Sequence, residues 1–202
     1  MPDEHPITVL PLTPERIADF EDLFGPSGAC YGCWCTYFRL RPKVRNATSS
    51  DERHAVMTER IRTGPPPGLL GYRDGLPVSW MQIGPRADVP EWNNSGRATT
   101  PMDDAPADDP SVWAISCFFF RSRERGKGLS HRMVSEGIRF AAANGARIIE
   151  ASPMDRAKQS KSIGLFVGST SVFEKAGFTE VARRKGGRPL MRLVLATAQT
   201  DP

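Results

Sequence analysis

The stretch that decides the fold covers residues 112–144 and reads VWAISCFFF RSRERGKG LSHRMVSEGIRFAAAN. Its first nine residues, Val112–Phe120, are almost wholly apolar and predict a buried strand. Residues 129–144 place apolar side chains at helical spacing, which predicts an amphipathic helix packed on that strand. A short charged turn with glycines at Gly126 and Gly128 joins the two. The segment therefore predicts a strand, a glycine-bearing turn and a helix in immediate succession.

The turn has the features of an anion-binding site. A glycine-bearing turn that enters a helix presents unpaired backbone N–H groups, and the helix dipole adds partial positive charge there. Arg123, Arg125 and Lys127 place further positive charge beside them. The segment has neither the Gly-Lys-Ser/Thr ending of a P-loop nor a Gly-x-Gly-x-x-Gly fingerprint. A plain surface turn with two glycines is the alternative interpretation of these residues.

The rest of the chain predicts a mixed α/β fold around one sheet. Asp74 and Gly75 lie between two apolar runs and predict a β-hairpin. The segment of residues 84–110 is long, polar and rich in Pro and Asp. This predicts a flexible insertion within a single domain of residues 1–202. Ser50 has Arg53 three positions on and so lacks a full capping box. Strands are predicted at 7–10, 69–72, 78–83, 147–152, 179–183 and 190–195, and helices at 14–23, 51–62 and 171–176.

Composition excludes several classes of protein. The chain has 202 residues, 39% of them hydrophobic and 25% charged, with a formal net charge of +4. This balance is ordinary for a globular protein and lacks the dense basic stripe of a nucleic-acid binder. No basic segment followed by an apolar run precedes the first strand, and no apolar run is long enough to span a bilayer. We therefore expect a cytoplasmic protein that binds neither nucleic acid nor membranes.

Three of the four cysteines lie close together at Cys30, Cys33 and Cys35. A closed zinc site needs four ligands, and neither His54 nor Cys117 is near these three in sequence. We therefore expect no metal and interpret the cysteines as free thiols packed in the wall of a binding pocket. A zinc- or redox-responsive interaction protein is a further hypothesis that rests on these residues alone.

The pattern resembles the GNAT superfamily of acetyl-CoA-dependent N-acetyltransferases. The superfamily signature, Gln/Arg-x-x-Gly-x-Gly/Ala, is matched by Arg123, Gly126 and Gly128. The strand before it, the helix after it and a later Phe-Glu-Lys-Ala-Gly-Phe segment at 173–178 follow in the family's order. The chain looks most like a bacterial subgroup with an N-terminal Cys-Trp-Cys segment. The residues that carry this second resemblance are Cys33, Trp34, Cys35, Trp113, Cys117, Phe118, Glu150, Pro153 and Asp155.

The resemblance implies a GNAT fold, in which a single mixed, twisted sheet of about seven strands has flanking helices and is splayed at strands 4 and 5. Acetyl-CoA would lie in the splay as the donor substrate, with the pantetheine arm on the backbone of Phe118 and Phe120 and the pyrophosphate on the amides of 125–130. The expected cofactor-binding residues are Phe118, Phe119, Phe120, Arg123, Arg125, Gly126, Lys127, Gly128, Leu129 and Ser130.

The resemblance also implies direct transfer to a primary amine of a small molecule or peptide. The backbone N–H at or next to Phe118 is the expected donor to the acetyl oxygen. Glu150 is the candidate base, but a structural carboxylate paired with an arginine explains it equally well; Asp155 is a second candidate. Many relatives place a tyrosine acid where this chain has Phe173, so Ser171, or the neighbouring Ser169 or Thr170, is the expected proton donor to the thiolate.

The sequence leaves the acceptor and the oligomeric state, monomer or homodimer, open. A non-catalytic acyl-CoA-binding regulatory module is the alternative function. The missing tyrosine at Phe173 is the observation that supports this alternative.

Overall fold

The computed structural model describes residues 7–155, 165–184 and 187–195, and the predicted domain of residues 1–202 extends beyond these ranges at both ends. In the described ranges one sheet has seven strands, in the order β1-β2-β3-β4-β5-β7-β6, with helices on its faces. The predicted mixed sheet with flanking helices is therefore confirmed. The strands are β1 (Thr8–Pro11), β2 (Gly68–Arg73), β3 (Leu76–Pro85), β4 (Val112–Phe120), β5 (Ile148–Ala151), β6 (Thr179–Arg183) and β7 (Pro189–Val194). The helices are α1 (Ile17–Phe24), α2 (Pro42–Ala47), α3 (Ser50–Thr63), α4 (Leu129–Ala143) and α5 (Thr170–Lys175).

The sheet joins two antiparallel parts through one parallel pair. Strands β1 to β4 pair antiparallel with their sequence neighbours, β4 pairs parallel with β5, and β5, β7 and β6 pair antiparallel. The predicted hairpin joins β2 to β3, and Asp74 and Gly75 take φ values of 51° and 77° at its turn. Positive φ at both central residues matches the right-handed twist of the flanking strands.

Helices cover both faces of the sheet. Side chains alternate along β3, so neighbouring residues of this strand pack on opposite faces. Met81 packs with Met133 and Val134 of α4 on one face. Trp80 packs with Phe20 of α1 and with Met57 of α3 on the other face. None of the helices in the described ranges is long and apolar enough to cross a membrane.

The predicted flexible insertion, residues 84–110, begins with the last two residues of β3, and residues 86–110 contain side chains that pack against the sheet. Arg86, Trp92 and Ala105 in this segment are each 1% exposed or less. Trp92 shares a cluster with Ala114 of β4 and Leu190 of β7. The segment thus covers part of one face of the sheet next to β4 and β7, while its flexibility stays a prediction.

Helix α3 begins with a capping box that the sequence analysis, which considered Ser50, missed. Ser49, not Ser50, is the N-cap: its hydroxyl accepts from the N–H of Glu52, whose carboxylate accepts from the N–H of Ser49. Both bonds satisfy N–H groups that an α-helix leaves unpaired at its start. The helix therefore has a firm N-terminus next to the segment that contains the clustered cysteines.

Two glycines in neighbouring strands provide a test of how tightly the sheet is packed. A Cβ at Gly68 would lie 2.3 Å from the carbonyl oxygen of Met81, whereas a Cβ at Gly84 would meet only Asp88 Oδ2 at 3.7 Å. We expect Gly68→Ala to lower the free energy of unfolding by about 1–3 kcal/mol, because the backbone must shift. Gly84→Ala is the matched control and should change it by less than about 0.5 kcal/mol in urea denaturation. Equal stability of the two variants would contradict this packing.

Candidate active site

The site begins where β4 and β5 separate. β5 pairs with β4 only from Val112 to Ile115, opposite Ile148–Ala151. β4 continues to Phe120, still paired with β3 on its other side. The last five residues of β4 therefore have no β5 partner, and the predicted splay between strands 4 and 5 is present.

The chain after β5 explains why the parallel pairing stops. Pro153 has no N–H and cannot continue a ladder. The N–H of Met154 donates to Gly168 O at 3.0 Å, and the N–H of Thr170 donates to Met154 O at 3.1 Å. The chain therefore pairs with the segment that enters α5 instead of with β4.

The N–H groups of Phe118 and Phe120 point into the opening. The N–H of Arg121 donates to Val78 O of β3 at 3.0 Å. Successive N–H groups in a strand point to opposite edges, so Arg121 and every second residue before it face β3. Phe118 and Phe120 are the alternate residues. Their N–H groups point to the other side of β4, where the pairing with β5 has ended.

The glycine turn lies at the end of this edge. Gly126 and Gly128 have φ values of 80° and 75°, and a Cβ added at either would meet no atom within 4 Å. Gly128 is the N-cap of α4 and offers no side chain to cap it. The N–H groups of the first turn of α4, which include those of Leu129 and Ser130, therefore face open space at the positive end of the helix dipole.

The predicted cofactor-binding residues divide into two groups. Arg125 donates from Nε to Phe120 O at 3.3 Å and lines the cleft. Arg123 is exposed and Lys127 forms an ion pair with Glu124 at 3.2 Å; neither side chain is part of the cleft lining. The structure brings together in the lining Phe118, Phe119, Phe120, Arg125, Gly126, Gly128, Leu129 and Ser130.

The opening belongs to one cleft of about 1370 Å³. Its second wall comes from the loop before α2, from α2 and from α3. A pocket for one drug-sized ligand measures roughly 300–1000 Å³, so this cleft has room for a nucleotide-sized donor and a second small molecule. The residues of the second wall include Cys30, Tyr31, Cys33, Cys35, Tyr37, Phe38, Arg45, Asn46 and Arg53.

Two hydroxyls face the cleft at the start of α5. Ser169 Oγ and Ser171 Oγ lie 3.2 Å apart, and both residues line the cleft. Phe173 is 0% exposed and packs against Phe118 and Phe178. The hydroxyl of Ser171, the predicted proton donor, therefore lies in the cleft, and its role stays a prediction.

Glu150 lies away from the cleft lining, in a buried ion-pair network. Its Oε1 accepts from Arg192 Nε at 3.0 Å and Nη2 at 2.7 Å, and its Oε2 pairs with Arg86 Nη1. The side chains of Glu150 and Arg86 are 0% exposed. This geometry favours the structural carboxylate over the base, because both oxygens already hold guanidinium groups. The second candidate, Asp155, forms an ion pair with Arg183 at 2.5 Å.

His131 is a cleft residue that the sequence analysis did not assign to the site. It lies in the first turn of α4, three positions after Gly128. Burial, with a smaller contribution from the charge of Lys175, lowers the pKa of His131. Its position in the first turn of a predicted anion-binding helix was the signal that could have identified it.

The cysteines line the cleft as free thiols. Trp80 Nε1 donates to Cys35 Sγ at 3.1 Å. Burial raises the pKa of Cys35, but the thiol of Cys117, Trp80 and the charge of Arg39 outweigh it, so this pKa is lowered. The pKa of Cys117 is raised by its contact with Cys35 and by burial. Within residues 7–155, 165–184 and 187–195, no three His, Cys, Asp or Glu side chains are grouped to hold a metal ion.

Comparisons with known proteins bear on the fold. The whole chain is similar to yncA from Salmonella typhimurium, described as an acetyltransferase and solved with its cofactor acetyl-CoA. The two share 17% identity and a TM-score of 0.54 over 96% of each chain. An acetyltransferase of the GNAT family from Streptococcus pneumoniae matches with 14% identity and a TM-score of 0.53, over 95% of this chain and 100% of that one. The chain has the GNAT acetyltransferase fold.

A third structure, PaiA N-acetyltransferase from Thermoplasma acidophilum in complex with coenzyme A, matches at 10% identity. Its TM-score is 0.51, over 94% of this chain and 99% of that one. No protein-family profile matches the sequence, and no curated protein matches it. The likeness to the Cys-Trp-Cys subgroup therefore stays a prediction.

The Glu150 network yields a stability prediction. Glu150→Gln leaves the buried Arg86 without a carboxylate and leaves Arg192 with Asp104 alone, so we expect the free energy of unfolding to fall by about 3–5 kcal/mol. Glu174→Gln, an exposed carboxylate on α5, is the control and should change it by less than about 0.5 kcal/mol. Thermal and urea unfolding of the two variants provide the measurement. A Glu150→Gln protein as stable as the unsubstituted chain would show that the network contributes no net stability.

Proposed function

We propose that this chain is an acetyl-CoA-dependent N-acetyltransferase that transfers the acetyl group directly to a primary amine of a small molecule or peptide. One observation supports it above the others. A strand edge, where the N–H groups of Phe118 and Phe120 have no partner among the described residues, leads directly to a helix N-terminus at Gly128 without a side-chain cap, within one cleft. The fold shared with acetyltransferases, one solved with acetyl-CoA and another with coenzyme A, is the second support.

The residues fit the donor substrate in a specific order. The N–H groups of Phe118 and Phe120 would bind the pantetheine arm as a neighbouring strand would. The first turn of α4 would bind the pyrophosphate, because phosphate oxygens approach closely only where no Cβ intervenes, as at Gly126 and Gly128. Arg125 adds a positive charge at the same place.

The chemistry requires few groups from the protein. An alkylammonium loses a proton, its nitrogen forms a bond to the acetyl carbon and the carbon–sulfur bond breaks. The nitrogen then gives up a second proton, and the thiolate takes up one. The net products are the amide, the free thiol and one released proton. The N–H of Phe118 stabilises negative charge on the acetyl oxygen. The Ser171 hydroxyl donates to the thiolate and recovers its proton from water.

We assign Glu150 to anchoring rather than to proton removal. Its carboxylate is fully buried and holds Arg86 and Arg192. Asp155 is likewise engaged with Arg183. The acceptor's proton would then leave through water in the cleft.

A non-catalytic acyl-CoA-binding module is the second candidate, and Phe173 is the observation that favours it. The phenyl ring is buried and cannot donate a proton. Such a module would bind acetyl-CoA without releasing free coenzyme A in the presence of any amine.

Calorimetry and a thiol-release assay separate these possibilities. We expect acetyl-CoA to bind with a micromolar dissociation constant and to raise the melting temperature by mass action. An amine screen that follows free coenzyme A should then identify acceptors. Binding without release in the whole screen would favour the regulatory module. No heat and no thermal shift at millimolar acetyl-CoA would overturn both functions.

The glycine turn allows a matched pair of variants. Gly128 and Gly145 lie at opposite ends of α4, have φ values of 75° and 81°, and have no atom within 4 Å of an added Cβ. Alanine at either costs about 1–2 kcal/mol of stability, because an L-residue is strained at positive φ. We expect only Gly128→Ala to weaken acetyl-CoA binding, by at least tenfold or about 1.4 kcal/mol. Equal acetyl-CoA affinity of the two variants in titration calorimetry would place the phosphates elsewhere.

A further inference from the structure

The part of the cleft away from the glycine turn is lined by cations. Arg45 and Arg53 lie in its second wall. Among the described residues that line the cleft, the carboxylate is that of Glu124, which lies in the turn before α4 and forms ion pairs with Arg73 at 3.3 Å and Lys127 at 3.2 Å. The side on which an acceptor would bind therefore carries positive charge without a carboxylate of the described chain to balance it.

Arg53 supplies charge, but its hydrogen bonds are already used. Its Nε donates to Gly32 O at 2.6 Å and its Nη1 donates to Thr48 O at 2.5 Å. Its Nη2 donates to Tyr31 O at 3.5 Å. Arg53 therefore ties the loop before α2 to α3 and contributes an electrostatic potential rather than a free donor.

Arg45 has donors to spare. Its guanidinium carbon lies 4.2 Å from the centre of the Tyr37 ring, and its Nη1 donates to Tyr37 O at 2.9 Å. A guanidinium has five N–H donors in a planar fork that suits a carboxylate or phosphate. No carboxylate of the described residues lies within ion-pair distance of Arg45. The ring contact and the hydrogen bond to Tyr37 O restrict the guanidinium in advance, which reduces the entropy lost on binding an anion.

A second guanidinium adds to the charge beside Tyr37. Arg188 is half-buried and its Nη2 donates to Ser152 Oγ at 3.2 Å. Burial, and then the like charge of Arg97, lowers the pKa of Arg188, whose charge also interacts with Tyr37. In the described ranges no carboxylate pairs with Arg188. Arg188 is not part of the cleft lining, so it adds positive potential near Tyr37 without touching a ligand in the cleft.

We infer that the acceptor is a small amine that also carries an anionic group, a carboxylate or a phosphate, held by Arg45 against Tyr37 with the amine directed towards Phe118. This inference rests on the proposed acetyltransferase function and narrows its acceptor. Acceptors with several positive charges, such as polyamines or lysine-rich peptides, would be repelled by Arg45, Arg53 and Arg188. Anionic amines would be attracted by the same charges.

A panel of matched amines tests the inference. The panel is built on several α-amino acids. Each amino acid is compared with its carboxamide, its decarboxylated amine and the corresponding aminoalkyl phosphonate or phosphate. Free coenzyme A is followed with saturating acetyl-CoA. We expect the carboxylate or the phosphorus acid to show a kcat/KM at least tenfold above that of its neutral partners. The ratio between the two anionic arms identifies which anion the site accepts.

Variants of α2 locate the effect. Arg45→Gln should raise KM for the preferred anionic amine at least tenfold, leave kcat within about twofold, and leave the KM of the neutral amines nearly unchanged. Arg45→Lys keeps the charge but loses the fork, and should recover only part of the affinity. Lys43→Gln is the matched control, because Lys43 is exposed on the same helix and is not part of the cleft lining. Acetyl-CoA affinity and melting temperature, measured on each variant, show that the fold and the donor site are intact.

The outcomes separate this inference from the proposed function. Turnover of neutral or polycationic amines without preference for anionic ones overturns the inference and leaves acetyl transfer standing. No turnover of any anionic amine by a protein that binds acetyl-CoA also overturns it. An anionic preference that persists in Arg45→Gln would mean that another group reads the anion. Failure to bind acetyl-CoA would instead overturn the proposed function itself.

Discussion

The parallel pairing between β4 and β5 ends after four residue pairs, and the rest of the candidate site depends on that ending. Two parallel strands in a sheet normally satisfy each other's backbone groups along their length. Here Pro153 cannot donate, and Met154 pairs with the segment that enters α5. The end of β4 thus keeps polar backbone groups that another strand would otherwise use. A ligand with alternating donors and acceptors can take the place of that strand.

The buried side chains of Arg86, Glu150 and Arg192 form an ion-pair network beside the paired part of β4 and β5. Glu150 lies directly opposite Arg192 in the β5–β7 ladder, and Arg86 follows β3. The network therefore joins β5, β7 and the segment after β3 on one side of the parallel pair. Because breaking such a network leaves a buried charge uncompensated, it holds β5, β7 and the segment after β3 firmly together. A catalytic base needs an oxygen free to take a proton, and this carboxylate has both oxygens engaged.

The central part of the fold could be predicted because its signals are local. The apolar run of β4, the two glycines and the helical spacing of α4 are contiguous in sequence, and each indicates its structure without reference to the rest of the chain. The Asp74-Gly75 hairpin was predictable for the same reason. In these elements local propensity and tertiary packing agree.

The roles of individual side chains depended on contacts distant in sequence. Nothing near Glu150 distinguishes a base from an anchor, because its partners are 64 and 42 positions away. Arg45 looks like an ordinary charged helix residue until its stacking on Tyr37 is seen. A lone histidine such as His131 carries little information by itself, although its place in the first turn of α4 was predictable.

Residue-resolved amide hydrogen exchange by NMR, with and without coenzyme A, tests the central claim most directly. The claim is that the N–H groups of Phe118 and Phe120 in β4 lie beyond the end of the β5 pairing and are available to bind a ligand. In the free protein, the amides of Phe118 and Phe120 should exchange quickly, while those of Cys117 and Phe119, which face β3, are protected. Coenzyme A should slow exchange at Phe118, Phe120 and the start of α4, and leave Cys117 and Phe119 unchanged. Protection of Phe118 and Phe120 in the free protein, or no change on adding coenzyme A, would contradict the account.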